Sequence, residues 1–145
     1  MEDTLLLGDI VLVDMRTTRL FPLRRGEIVV FEYPPEPEVW YLKRVVGLPG
    51  ESLELRGGHL YVDGSPMEES YVNDDHREAE DFGPAAVPEG HYFVLGDHRN
   101  RSSDSRVWGF VTLDRMRGRA YRIYWSGGDP QNWERTGSSL ALEGR

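Results

Sequence analysis

The sequence predicts an all-β fold in a single domain. Short runs of β-branched and aromatic residues recur along the chain, and glycine and proline separate them. No stretch has the apolar periodicity of a helix, and no internal repeat or proline-rich linker divides the chain. With 145 residues, the chain is long enough to form one hydrophobic core.

Three strands are predicted in the first half of the chain. Ile10–Asp14 follows the Gly8-Asp9 turn, and Glu27–Tyr33 follows a second turn that ends at a glycine. A loop with prolines at both ends, residues 34–37, leads into the third strand, Val39–Val46. Each run is short, apolar and rich in β-branched residues, as strands require.

A hairpin follows, and it begins an excursion from the main sheet at about residues 51–90. Ser52–Leu55 and His59–Val62 are its strands, and Gly57-Gly58 forms its turn. The segment Pro66–Gly83 is acidic and poor in apolar residues, which predicts a solvated, mobile loop without a chemical role.

Two more strands are expected, His91–Leu95 and Arg119–Trp125. The domain therefore extends over residues 1–126. Residues 127–145 have weak periodicity and are expected to form a frayed C-terminal tail.

Composition excludes several classes of protein. The net charge of −8 and the absence of a basic stripe argue against nucleic-acid binding. The chain has no cysteine, so disulfides and thiolate metal sites are excluded. No apolar segment approaches the roughly 20 residues of a membrane span, and Met1–Leu7 lacks the features of a signal peptide. We expect a soluble chain, as given, without metal or cofactor.

The polar run Gly96–Gly109, GDHRNRSSDSRVWG, is dense in charged and hydroxyl residues and directly follows the strand-like apolar stretch HYFVL. Asp97, Arg99, Asp104 and Arg106 alternate with serines, a pattern that suits fork-shaped pairs between arginine and carboxylate. An ordinary surface turn explains only some of these residues. A structured site and a polar turn both remain open on residue types alone.

A lysine and an arginine, Lys43 and Arg44, interrupt the apolar strand VWYLKRVV and point to opposite faces of the sheet. A buried lysine loses its proton easily and then acts as a general base. Alternatively, Lys43 reaches an edge of the sheet or pairs with a carboxylate. For Arg44 we expect a buried ion pair with Asp97 or Asp104.

Four motifs together resemble one known family. They are TLLLGDIVLVD, RRGEIVVFEYP, YLKRVVGLPGE and GDHRNRSSDSRVWG, in that order and at plausible spacings, with VPEGHYFVLGD and GRAYRIYWS around them. From these motifs, the chain is identified as a member of the bacterial type I signal peptidases, the S26 family of membrane-anchored serine proteases that use a Ser-Lys dyad. The resemblance covers residues 1 to about 126, and it implies coiled antiparallel sheets.

The resemblance implies a role for several residues. Lys43 would be the general base, and the Ser102 hydroxyl would orient its amine. The scaffold of the site would be formed by Arg44, Asp97, Arg99, Asp104 and Arg106. Shallow pockets for small side chains, one and three residues before the cut, would be lined by Leu5, Tyr41, Leu42 and Ser103, although Tyr41 and Leu42 also suit ordinary core packing.

The resemblance also implies the biological setting of the full-length enzyme. Its partners would be signal peptides of secreted preproteins, bound in extended form beside the Lys43 strand, and the membrane surface. It would act at the extracytoplasmic face of the cell membrane. Neither a cofactor nor a metal is implied.

Two positions depart from the family pattern. His98 stands where the family usually has asparagine, and it either preserves a hydrogen-bond donor or is a tolerated outward substitution. The family's nucleophilic serine precedes a Met-x-Pro-Thr-Leu segment, which corresponds here to Met1–Leu5. The chain thus begins one residue after that serine, and we expect it, as given, to be inactive and to lack the membrane anchor.

Other sources of activity are disfavoured. Ser102, Ser103 and Ser105 belong to the supporting loop, and a triad of Asp97, His98 and Ser102 would need neighbours in one loop to converge. Besides an enzyme domain without its serine, the sequence is compatible with two alternatives: a naturally truncated, inactive relative that binds extended peptides, and a cytosolic self-cleaving repressor domain. The second would not share the GDHRNRSSDSR motif.

Overall fold

Two antiparallel sheets form the structure, a computed structural model that describes residues 1–77, 80–127 and 130–140. The strands are β1 (Asp9–Asp14), β2 (Ile28–Tyr33), β3 (Glu36–Gly47), β4 (Ser52–Arg56), β5 (His59–Val62), β6 (Ser65–Pro66), β7 (Phe82–Ala86), β8 (His91–Leu95), β9 (Val111–Thr112) and β10 (Met116–Ser126). The two α-helices are single turns, α1 (Thr17–Leu20) and α2 (Ser105–Trp108). Short 3-10 turns cover Asp74–His76, Arg99–Arg101, Leu113–Arg115 and Pro130–Arg135.

The larger sheet has six strands in the order β1-β10-β2-β3-β8-β9, and the smaller has four in the order β6-β5-β4-β7. Every pairing between these strands is antiparallel. The all-β prediction is therefore confirmed, and each of the seven predicted strands is present. The strands that sequence missed are β6 and β9, which have two residues each, and β7, whose glycine and proline are poor strand formers.

Strand β3 lies between β2 and β8, and its second half is buried on both faces. Val45 packs into one hydrophobic cluster with Val29 and Phe31, whereas Val46 packs into another with Leu53. Successive residues of a strand point to opposite faces, so both faces of β3 contact a core here. This burial explains the near-continuous apolar run around Lys43 and Arg44.

The prediction of a solvated loop over residues 66–83 fits most of its described residues, which are exposed, but it fails at Glu69 and Val72. Within the described part of this segment, Glu69 and Val72 are 4% and 5% exposed. Tyr71 lies over the guanidinium of Arg44, and β7 begins at Phe82. The scarcity of apolar residues was misleading because a buried carboxylate with a partner replaces them; residues 78–79 lie outside the described residues.

The described part of the C-terminal tail is also packed rather than frayed. Residues 130–140 run along β10, where the Ile123 amide donates to the Ser138 carbonyl at 3.0 Å and the Leu140 amide to the Tyr121 carbonyl at 3.0 Å. Leu140 is buried against Ile28 and Ile123. Residues 128–129 and 141–145, which the tail prediction also covers, lie outside the described residues.

Over residues 1–77, 80–127 and 130–140, no helix has the length and apolar character needed to span a membrane.

Gly118 offers a test of the pairing between β1 and β10. A Cβ at this position would clash with Val13 Cγ1 and lie 2.9 Å from the Asp14 carbonyl oxygen, which belongs to the backbone. We therefore expect Gly118→Ala to lower the free energy of unfolding by about 1–3 kcal/mol, measured by urea denaturation. An unchanged unfolding midpoint would contradict this close packing.

Candidate active site

Lys43 lies in the middle of β3, opposite Val29 of β2 and one residue before Arg44, which is opposite Leu95 of β8. Its amine reaches the start of the polar run. Lys43 Nζ is 3.6 Å from the position that a Cβ on Gly96 would occupy, and it lies 5.6 Å from the centroid of the Tyr41 ring.

Burial lowers the pKa of Lys43. The negative charges of Asp104 and Asp97 act in the opposite direction, and the positive charge of Arg106 adds to the lowering. The two carboxylates do not outweigh burial, and each of them is bound to an arginine. Among the described residues, Lys43 has no ion pair, so nothing fixes its proton by direct contact. The arrangement favours a neutral amine.

Lys43 is the only lysine among the 145 residues, although lysine and arginine together number 17. Every other cationic side chain of these two types is therefore an arginine, which does not lose its proton in proteins. The single side-chain amine of the chain therefore sits in the middle of the sheet. A spectroscopic signal from lysine would report on this one residue.

Arg44 and Asp97 form a fully buried, two-pronged pair, 2% and 1% exposed. Arg44 Nε donates to Asp97 Oδ1 at 2.9 Å and Nη2 donates to Oδ2 at 2.7 Å. Arg44 Nη1 also donates to the Gly26 carbonyl at 2.7 Å, and the Thr4 hydroxyl donates to Asp97. The structure thus brings together the pair expected from sequence and joins it to the N-terminal segment.

Asp104 and Arg106 fix the other end of the polar run. Arg106 Nε and Nη2 each donate to the fully buried Asp104 carboxylate at 2.8 Å. The same carboxylate caps α2 by accepting from the Arg106 amide, and it accepts from the Gly96 amide at 3.2 Å. Both carboxylates near Lys43 are thereby engaged by guanidinium groups.

Arg99 does not pair within the polar run. Its guanidinium forms a buried, two-pronged pair with Glu69, in which Nη1 donates to Oε2 at 3.0 Å and Nη2 donates to Oε1. Arg99 Nε donates to the Gly96 carbonyl at 3.1 Å. Glu69 was not among the predicted site residues; the pair Tyr71-Val72, apolar within a polar segment, was the available signal that part of this segment packs against the core.

Ser102 lies beside Lys43, but the expected hydrogen bond between them is not formed. Within the described part of the chain, the buried Ser102 Oγ has no hydrogen-bond partner. A Cβ on Gly96 would clash with this oxygen, so the hydroxyl and Lys43 Nζ approach the same face of Gly96. A cleft of about 260 Å³ opens at Ser102 and is lined by Phe82 and Val107, among others.

The four residues predicted to line substrate pockets lie in different environments. Leu5 and Leu42 both pack on the cluster of Ile28 and Ile123. Tyr41 packs on the other face of β3 and stacks on Tyr33 with ring centroids 4.3 Å apart. Ser103 is exposed in the polar run.

The interpretation of His98 as an outward substitution was wrong. His98 is 8% exposed, and its ring stacks on His76 with centroids 3.8 Å apart. His98 Nδ1 lies 2.9 Å from Glu2 Oε2. His76 and the N-terminal segment thus enclose the ring.

Comparisons with known proteins place this geometry in a family. Residues 1–125 match the family described as signal peptidase, peptidase S26. A probable signal peptidase I-2 of Synechocystis sp. is 38% identical over 130 residues, which is 86% of this chain and 59% of the relative. A signal peptidase I of Bacillus licheniformis is 38% identical over 125 residues, which is 81% of this chain and 66% of the relative.

A solved structure is also similar. The crystal structure of a signal peptidase I from Enterococcus faecalis V583 is 36% identical with a TM-score of 0.60, and the match covers 68% of this chain and 97% of that chain. The chain therefore belongs to the signal peptidase family, peptidase S26. It spans 59% and 66% of the lengths of the two curated relatives named above.

Gly96 provides a test of the contact between Ser102 and the backbone under Lys43. A Cβ on Gly96 would also lie 2.7 Å from Ser102 Cβ, so Gly96→Ala should lower the free energy of unfolding by about 1–3 kcal/mol. Adding Ser102→Gly removes both clashing atoms and should restore much of the loss in thermal denaturation. A double variant as unstable as Gly96→Ala would contradict this contact.

The lowered pKa of Lys43 predicts a pH-dependent stability. The folded state binds the lysine proton less tightly than the unfolded chain does, so stability falls as pH drops from the ordinary lysine pKa through the lowered one. Lys43→Met removes this loss. We expect the variant to gain more stability relative to wild type at pH ~7 than at pH ~10.5, measured by urea denaturation. An equal gain at both pH values would contradict the lowered pKa.

Proposed function

We propose that this chain is the catalytic domain of a serine endopeptidase that removes N-terminal signal peptides from secreted preproteins, with Lys43 as its general base. The observation that carries the proposal is the lysine amine of β3, which burial favours in its neutral form and which has no ion pair among the described residues. Family membership supports the reaction class.

The nucleophile would be the serine that the family pattern has directly before Met1. Two observations support this position. Burial, and then the charge of Lys43, lower the pKa of the Met1 amino group, so the Met1 nitrogen lies within the electrostatic range of the Lys43 amine. Thr4 is tied to Asp97, which fixes the N-terminal segment over the site. A residue before Met1 would thus lie near Lys43.

The reaction would proceed in two halves. Neutral Lys43 takes the proton of the serine hydroxyl while the oxygen attacks the scissile carbonyl carbon. The lysine ammonium then gives that proton to the leaving amine, and the acyl-enzyme remains. Lys43 next takes a proton from water, which attacks the ester, and returns it to the serine oxygen. No metal or cofactor takes part.

Ser102 would orient the lysine amine during both halves. Its buried hydroxyl is without a hydrogen-bond partner in the described part of the chain, and it shares the face of Gly96 with Lys43 Nζ. A small rotation of either side chain would let the hydroxyl accept from the amine. The scaffold of Arg44, Asp97, Arg99, Asp104 and Arg106 would hold this loop in place.

The substrate would bind as an added strand beside β3. Strand β8 pairs with β3 only from Arg44 onward, so among the described strands only β2 pairs with the first half of β3. An extended peptide can hydrogen-bond to such an open edge, close to Lys43. Leu5, Tyr41, Leu42 and Ser103 would then favour small side chains near the cut.

The same proposal locates the full-length protein at the extracytoplasmic face of the cell membrane. Large exposed hydrophobic side chains support contact with the membrane surface: Phe21, Trp40 and Trp125 are 60%, 54% and 48% exposed. Tryptophan is enriched where membrane and water meet.

The test compares two proteins that differ only in the residue directly before Met1, serine in one and alanine in the other. The substrate is a preprotein peptide with alanine one and three residues before the cut. We expect the serine protein to cleave, with activity that rises as pH rises through the pKa of Lys43, because the neutral amine is the base. The alanine protein should bind the peptide without cutting it.

Lys43→Arg in the serine protein is the matched control, since arginine keeps the charge but does not release its proton. We expect its kcat to fall by about 10²–10⁴-fold. Cleavage by the alanine protein, or full activity with Lys43→Arg, would contradict the proposed mechanism. Peptide binding without cleavage by the serine protein would favour the peptide-binding alternative.

A further inference from the structure

The buried carboxylate of Glu69 has no step in the reaction proposed above, yet it contacts the frame of the site. Its side chain is 1% exposed, as is that of its partner Arg99. Both oxygens of Glu69 accept from this guanidinium. A buried carboxylate is costly unless it is paired, and this pair joins residues 30 positions apart in sequence.

Arg99 transmits this contact to the backbone beneath Lys43. Its Nε donates to the Gly96 carbonyl at 3.1 Å, while the Gly96 amide donates to Asp104 at 3.2 Å. Gly96 is therefore held on both sides of its Cα. The Lys43 amine and the Ser102 hydroxyl pack against this residue, so its position sets the space between them.

A second contact runs from the same segment to the other buried arginine. The Tyr71 hydroxyl donates to Glu69 Oε1 at 3.0 Å, and the Tyr71 ring lies 3.9 Å from the Arg44 guanidinium. Burial, and then the charge of Glu69, raise the pKa of Tyr71, which keeps the hydroxyl protonated as a donor. Glu69 thus contacts one scaffold arginine, Arg99, directly and is linked to a second, Arg44, through Tyr71.

We propose that Glu69 is a positioning residue for the Lys43 amine: it locks Arg99, and Arg99 holds Gly96 at the spacing that aligns Ser102 with Lys43. The proposal rests on the function proposed above, because it assigns Glu69 a part in that reaction without contact to the substrate.

The test uses Glu69→Gln in the protein with serine before Met1, and Glu68→Gln as its control. Glu68 is the neighbouring residue, is exposed and loses the same charge. We expect Glu69→Gln to lower kcat by about 10–100-fold with KM changed less than about two-fold, because misplacement of a catalytic group costs this much. Glu68→Gln should leave both constants within about two-fold.

A second readout separates positioning from simple stabilisation of the fold. In protein labelled with ¹³C at lysine Cε, the single lysine gives one NMR signal whose pH titration reports the pKa of Lys43. We expect Glu69→Gln to raise this pKa toward the ordinary lysine value, because a loosened loop admits water. A purely structural role would lower the melting temperature and leave both the Lys43 pKa and kcat per folded molecule unchanged.

Glu69→Asp covers the case in which Glu69→Gln does not fold. It keeps the charge but withdraws the carboxylate by one methylene, and we expect an intermediate kcat and an intermediate Lys43 pKa. The proposal would be overturned if a folded Glu69→Gln or Glu69→Asp protein had the same kcat and the same Lys43 pKa as the wild type. The NMR measurement needs no turnover, so it tests the role of Glu69 even if the serine protein does not cleave. If the serine protein cleaves normally and the Glu69 variants change neither kcat nor the Lys43 pKa, this inference alone is overturned.

Discussion

The site depends on how two buried carboxylates are satisfied. Asp97 and Asp104 are the negative charges that act on Lys43, and either one could hold its proton through an ion pair. Instead, Arg44 binds Asp97 with two hydrogen bonds, and Arg106 binds Asp104 in the same way. Burial therefore has the largest effect on the pKa of the Lys43 amine, and it favours loss of the proton. A base at ordinary pH requires this condition.

Strand β3 makes the condition possible because its second half is covered on both faces. Successive residues of the strand point to opposite faces, so Lys43 and Arg44, although adjacent, have different surroundings and different roles. Arg44 is enclosed with Asp97 and Tyr71, and its charge is fully paired. Lys43 shares its face with Tyr41 and ends at Gly96, where a side chain would leave no room for Ser102. Burial on one face of β3 thus leaves the Lys43 amine without an ion pair. Burial on the other face encloses Arg44 and Asp97, whose charges neutralise each other.

Much of this arrangement could be predicted from the sequence, because it follows from local patterns. Short runs of β-branched and aromatic residues predicted the seven strands, whereas residue types alone left the polar run at 96–109 open between a structured site and a surface turn. The partner of Arg99 could not be predicted, because the pair with Glu69 joins segments that are distant in sequence and Pro66–Gly83 has the composition of a solvated loop. The burial of His98 was missed for a similar reason, since His76 and Glu2 come from two other segments.

The most direct test of the account is the pKa of the Lys43 amine in the folded chain. The signal of ¹³C-labelled lysine Cε can be followed against pH in the folded protein and in the same protein unfolded in urea, and it is unambiguous because the chain has one lysine. We expect a folded pKa below the value in the unfolded chain. A folded pKa equal to or above the unfolded value would contradict it, because the amine would then be charged at neutral pH and no base would remain in the site.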